Sequence, residues 1–177
     1  MKHICDHPDS HIVRTFDIAA ISLPIVYNKY GDHDPNGLLY VLKEDAERIE
    51  KEAWERFQLS PPQPYEEVQP LVLRANVGDE IRINFYNRFN RRASLHVHGL
   101  EYDVLTSDGA SIGCNPDTTA GGFIQYTWYA TKEGSSCFPT WWTPAAASLA
   151  PTCMGFSAQL SLKKRALPGS IRLQERP

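Results

Sequence analysis

The sequence predicts an all-β protein, a sandwich of short strands with one helix inserted among the early ones. Two patterns carry this expectation. Ile81, Ile83 and Phe85 alternate with Arg82, Asn84 and Tyr86, and Ile124, Tyr126 and Trp128 alternate with Gln125, Thr127 and Tyr129, which is the period of a strand with one buried face. Turn residues separate such runs at the short spacing of a sandwich. Only residues 38–57 repeat at helical steps, through Leu42, Ala46, Ile49, Ala53 and Phe57, with Glu and Lys on the other face.

In chain order, residues 12–21 form a largely apolar, partly β-branched run that reads as a strand ended by Pro24. Residues 27–37 read as a loop, punctuated by Gly31, Pro35, Asn36 and Gly37. The helix follows at about 38–57 and stops before Ser60-Pro61-Pro62-Gln63-Pro64, a stiff connector. Residues 71–75 read as a strand, Asn76-Val77-Gly78-Asp79 as a turn, and residues 81–86 as the alternating strand. A basic loop spans 87–92, and residues 95–100 read as another short strand. Ser107-Asp108-Gly109 and Asn115-Pro116-Asp117 mark turns before the aromatic strand at 124–129.

With 177 residues the chain is one domain, large enough for a core. The balance of 18 Lys+Arg against 21 Asp+Glu gives a formal charge of −3, which removes the electrostatic basis for a nucleic-acid binder or a polybasic membrane binder. No apolar run approaches the ~18 residues of a membrane span, so a soluble chain is expected. The first residues carry Lys2 but no apolar stretch behind it, so no secretory leader is read there. Cys5, Cys114, Cys137 and Cys153 lack the paired spacing of a zinc site or the density of a disulfide framework, and they leave the compartment unassigned. His3, Cys5, His7 and His11 read as a solvated terminus rather than a metal site.

Leu95-His96-Val97-His98-Gly99-Leu100 is the most informative hexapeptide. Residues two apart on an extended chain project to the same side, so His96 and His98 point together while Val97 points into the opposite layer. Two converging imidazoles can ligate one metal or two adjacent ones, and imidazole suits copper, zinc, iron and nickel alike. By itself the pair is equally compatible with two solvent-facing histidines.

The segment from Pro70 through Gly78-Asp79 and the alternating strand to Asn87, followed by Ser94-Leu95-His96-Val97-His98-Gly99, resembles the amino-terminal cupredoxin domain of a multicopper oxidase. The resemblance continues in Asp108-Gly109 and in Gly122-Phe123-Ile124-Gln125-Tyr126-Thr127-Trp128-Tyr129. The stretch at 24–35, PIVYNKYGDHDP, is similar to the large, ceruloplasmin-like bacterial members, a group that includes manganese oxidisers. The resemblance implies a cupredoxin-like Greek-key β-sandwich. It also implies that His96 and His98 are copper ligands of a trinuclear cluster, at which dioxygen is reduced to water while a metal ion or small organic reductant is oxidised. Other cupredoxin domains of a parent chain would supply the remaining ligands. A type 1 copper site is not expected, because no histidine follows His98 to join Cys137 or Met154.

Residues 1–135 hold 13 of the 18 basic and 20 of the 21 acidic residues, all six histidines and all eight tyrosines. Residues 136–177 therefore look drawn from another distribution, and back-translation offers a reason. Trp141 and Trp142 each have one codon, and a frame moved one base earlier forces Val-Asp across them. With permitted bases elsewhere the tail reads through VDPRSSLAGTNVHGLFGAIVVEE, which restores acids, a histidine and an alternating strand similar to the family's GLFGALIV. The expectation is a cupredoxin-like domain at 1–135, and an irregular, out-of-frame tail at 136–177 that leaves the sandwich short of its final strand. On this reading the chain is a fragment, inactive alone. The alternative is a metal-free β-sandwich interaction module. A cupin-like mononuclear enzyme fits poorly, since its third histidine and carboxylate are not found at the expected separations.

Overall fold

A computed structural model describes residues 12–110, 117–138, 140–141 and 158–163. Ten strands and one α-helix are present among them. Strand β1 (Val13–Val26) pairs antiparallel with β2 (His33–Leu42) and parallel with β4 (Glu80–Asn87). Strand β4 pairs antiparallel with β7 (Phe123–Tyr129), and β7 with β6 (Glu101–Tyr102), so the main sheet has the order β2-β1-β4-β7-β6. A second sheet, β3-β10-β8, is built from β3 (Val72–Asn76), β10 (Ala158–Lys163) and β8 (Gly134–Phe138). Strand β5 (Ser94–Leu95) pairs with β9 (Thr140–Trp141).

The alternation read from the sequence decides which face of the main sheet is which. Ile81, Ile83 and Phe85 of β4, with Tyr126 and Trp128 of β7, are fully buried and meet Leu73 and Ala75 of β3 and Leu162 of β10. That layer of side chains is the sandwich core. Phe85 sits between Tyr40, edge-on at a ring distance of 6.1 Å, and Tyr126, tilted at 6.3 Å, separations at which aromatic pairs are favourable. The opposite face of β1 and β2, through Ala19, Ile21, Leu23, Leu39 and Val41, is covered by helix α1 (Ala46–Phe57), which buries Ala46, Ile49 and Ala53. One all-β sandwich with a helix laid on its outer face is therefore the observed architecture.

Four sequence expectations are corrected. The helix does not begin at 38: residues up to Leu42 belong to β2, a 3₁₀ turn spans Lys43–Asp45, and the α-helix starts at Ala46. Leu39 and Val41 face the helix while Tyr40 faces the sandwich core, so a strand buried on both sides gives a continuous apolar run that has no period of its own. Strand β1 does not stop at Pro24 but continues to Val26, with a register shift between Leu23 and Ile25 that takes the proline out of the ladder. The loop is correspondingly shorter than 27–37, because β2 begins at His33. Residues 96–100 are not strand; β5 ends at Leu95.

The tail, expected to be irregular, contributes short strands among its described residues. Strand β10 runs parallel to β3 from Gln159 opposite Val72 to Lys163 opposite Asn76, and antiparallel to β8. Leu162 enters the core. An unpaired row of N–H and C=O groups along β3 is costly, and a neighbouring strand satisfies it. Cys5, Cys114, Cys153, Met154 and the His3 to His11 cluster lie outside the described residues.

Candidate metal centre

The segment carrying the two histidines is fixed from both ends by buried hydrogen bonds. Asn87, at the end of β4, is 1% exposed, and its Nδ2 donates to the carbonyls of Arg91, Thr118 and Thr119 at 2.7, 3.2 and 3.0 Å. Its Oδ1 accepts from the Phe89 amide. This one side chain closes the basic loop and ties it to the segment before β7, where Ala93 and Thr118 bridge. The Leu95 amide then donates to the Tyr126 hydroxyl at 3.2 Å, and the Ser94 hydroxyl donates to the Gly109 carbonyl at 2.5 Å. Burial raises the Tyr126 phenol well above its ordinary value, so it stays protonated beside that amide.

Although β5 ends at Leu95, the two-residue alternation carries on. Leu95 and Val97 are buried in the sandwich core, while His96 is half-buried and His98 exposed on the other side. The imidazoles lie with ring centroids 4.7 Å apart and planes at 88°. The expectation that His96 and His98 project together holds, even though they lie on an irregular segment.

Asp108 orients the first of them. The Nδ1 of His96 lies 2.8 Å from the Asp108 carbonyl and 3.0 Å from its Oδ1. Both oxygens accept, so Nδ1 carries the hydrogen and the lone pair of the neutral ring is on Nε2, the nitrogen a metal would take. Asp108 reaches this position because Gly109 follows it with φ of +68°, and a Cβ there would fall 2.0 Å from the Leu95 carbonyl oxygen. Only a residue without a Cβ admits so close an approach. Tyr102 completes the arrangement: its ring stands edge-on to His96 at 6.0 Å. Burial and the nearby Asp108 carboxylate raise the Tyr102 phenol above its ordinary value.

Neither Tyr102 nor Asp108 was among the expected site residues. Asp108 follows His96 by twelve positions, and no local period links the two. The sequence marked Asp108-Gly109 as a turn, which locates the bend but not what the bend touches. Among the described residues no group of three or more His, Cys, Asp and Glu could hold a metal, so those residues offer a pair of imidazole donors and not a closed site. The strand position of Cys137 is described, on β8.

The family model described as multicopper oxidase matches residues 68–166. The chain belongs to the multicopper oxidase family. Solved structures share the fold. A multi-copper oxidase from Pseudomonas thermotolerans superposes with a TM-score of 0.59 at 17% identity, over 92% of this chain and 32% of that one. Another multicopper oxidase gives 0.58 at 20%, over 89% and 44%. A metallo-oxidase from Campylobacter jejuni gives 0.55 at 14%, over 90% and 28%. The chain thus spans less than half of each of these structures. No curated protein matches it. The sandwich is cupredoxin-like, and membership of the family implies copper; two convergent imidazoles, one with its tautomer fixed, are a donor set suited to that metal. Among the described residues no helix of this multicopper oxidase chain is long and apolar enough to cross a membrane.

Proposed function

We propose that His96 and His98 are copper ligands that this domain contributes to a trinuclear cluster, whose other ligands come from another cupredoxin domain of a parent multicopper oxidase. Copper held there supplies one-electron redox chemistry, through which dioxygen is reduced to water as a metal ion or small organic reductant is oxidised. The observation that carries the reading is the perpendicular imidazole pair with His96 Nδ1 held by Asp108. The chain's own residues do the positioning: Leu95 and Val97 anchor the segment in the core, and Asp108 sets which nitrogen of His96 faces outward. Alone the chain is inactive, because two imidazoles do not complete a cluster and it brings no electron-entry copper. Kinship with the ceruloplasmin-like, manganese-oxidising group rests on residues 24–35.

The test is a copper(I) competition titration of the full chain against His96→Ala and His98→Ala. The unmodified chain should bind at least tenfold more tightly than either variant, as a two-imidazole site loses half its donors. Equal, weak binding by all three overturns the reading in favour of a metal-free β-sandwich module.

We also propose that the cupredoxin-like unit ends near residue 135 and that residues 136–177 are encoded out of frame. The change in composition and the coherent alternative reading support this. Strand β10 and the end of the family match lie inside that segment. A coding sequence with no one-base discrepancy near codons 134–137 overturns the proposal.

A further inference from the structure

We propose that the outer face of β7, with the groove beside it, is a binding site for a neutral, linear oligosaccharide. The site is independent of the copper reading, since it uses neither histidine and no residue that contacts one.

Helix α1 covers the outer face of β1 and β2, but along β7 Phe123 and Gln125 are exposed and Thr127 and Tyr129 half-buried. Residues two apart on a strand share a face, so these four form one strip, opposite the buried Tyr126 and Trp128. At about 3.3 Å per residue the strip is about 20 Å long, with an aromatic ring at each end. The Phe123 ring is 53% exposed and is backed by Tyr86 at 5.0 Å, with Lys43 over the Tyr86 ring. A groove of about 430 Å³ lies along the strip, between Glu80 and Arg82 of β4 and the turn at 103–107. That volume is in the range of small-molecule sites, about 300–1,000 Å³.

The polar groups are fixed in direction before any ligand arrives. A carboxylate only accepts, so Asp17 Oδ1 takes a hydrogen of Asn84 Nδ2 at 2.6 Å. That turns Asn84 Oδ1 to Gln125, whose Nε2 donates to it at 2.7 Å. Gln125 therefore presents its Oε1 as an acceptor, oriented from β1 through β4. On the far wall the Ser107 hydroxyl accepts from the Thr127 amide at 3.0 Å, and Asp103 Oδ1 accepts from the amides of Leu105 and Thr106 at 2.7 and 3.2 Å. Such preorganisation lowers the cost of binding.

Charge selects the class of ligand. Glu80, its side chain 10% exposed, holds Arg82 Nε at 2.6 Å, so the two charges compensate. A phosphate or carboxylate would meet Glu80, Asp103 and the Gln125 oxygen, and a metal cation would meet Arg82. Hydroxyls both donate and accept, and so suit a wall that offers guanidinium N–H groups, an amide oxygen and the Thr127 hydroxyl in turn. The C–H face of a sugar ring is apolar and packs on an exposed aromatic ring such as Phe123. A flat strip about 20 Å long is matched by an extended chain of sugars rather than by one ring.

The experiment titrates the nitrogen-15-labelled full chain with cellohexaose, with glucose and with inorganic phosphate, and reads amide shifts. Cellohexaose should shift the amides of residues 103–107 and 123–129 and saturate with a Kd of about 1 mM. Glucose, which spans only part of the strip, should bind at least about tenfold more weakly, and phosphate should shift none of these amides. Phe123→Ala and Gln125→Ala change exposed side chains, so their urea midpoints should match wild type, and each should weaken cellohexaose binding about fivefold. Lys51→Ala, on the exposed face of α1, should leave it unchanged. Absence of shifts with cellohexaose overturns the proposal, as does wild-type affinity in a folded Phe123→Ala or Gln125→Ala chain. Phosphate that shifts the same amides at lower concentration than cellohexaose overturns it in favour of an anion site.

Discussion

Replacing Gly109 by alanine should damage the histidine segment far more than the same change at Gly78, although both glycines have positive φ, +68° and +89°. The backbone cost is common to the two, about 1–2 kcal/mol for an L-residue in the left-handed region. At Gly78 nothing lies within 4 Å of the added Cβ, so that cost is nearly the whole effect. At Gly109 the Cβ falls 2.0 Å from the Leu95 carbonyl oxygen, 2.9 Å from its carbon and 3.3 Å from the Tyr126 ring. Carbon contacts settle at about 3.5–4 Å, so the loop must retreat by roughly an ångström or more. That movement stretches the bonds from Ser94 Oγ to the Gly109 carbonyl, 2.5 Å, and from His96 Nδ1 to the Asp108 carbonyl, 2.8 Å, out of range. Each buried group left without its partner costs about 1–3 kcal/mol. The expected losses are therefore about 1–2 kcal/mol for Gly78→Ala and about 3–8 kcal/mol for Gly109→Ala. Urea unfolding followed by circular dichroism should give midpoints separated accordingly at unchanged m-value, and amide spectra should show Leu95 and His96 shifted only in Gly109→Ala. Equal midpoints for the two variants, within about 0.5 kcal/mol, would refute the close-approach argument.

Asn87→Ala removes the donor shared by three carbonyls, and should cost about 3 kcal/mol in urea unfolding; a loss under about 1 kcal/mol would mean that water replaces it. Ala53→Asp buries a carboxylate between α1 and the outer face of β1 and should release the helix, read as lost helical signal in circular dichroism, whereas Ala53→Gly should retain it with a propensity cost near about 1 kcal/mol. Burial lifts the Glu50 carboxyl above its ordinary value of 4.5, with Arg88 opposing and Glu47 adding to the rise. The folded chain then holds that proton more tightly than the unfolded one, so Glu50 lowers stability as pH rises from 4.5 through its folded value. Melting temperatures of wild type relative to Glu50→Gln should accordingly decline across that window and level off above it; a difference independent of pH would contradict the burial.

Much of the fold was legible because it depends on period. The alternation at 81–86 and 124–129 names the buried residues of β4 and β7 correctly, since a pleated strand puts every second side chain on one face whatever it packs against. The helix was found through Ala46, Ile49 and Ala53, but its start was misplaced because residues 38–42 are buried on both sides, and a continuous apolar run carries no period with which to tell strand from helix.

The sequence by itself determined that His96 and His98 share a side and that the chain between them is anchored by Val97. Those are local consequences of extended backbone. Only the tertiary structure decided that Asp108 and Tyr102 join them, that Asn87 ties the loop, and that β10 lies along β3. Each depends on a contact between residues separated in sequence, from six residues for Tyr102 and His96 to more than eighty for β10 and β3, and closure over such distances is set by the packing of the whole sandwich rather than by any pattern along the chain.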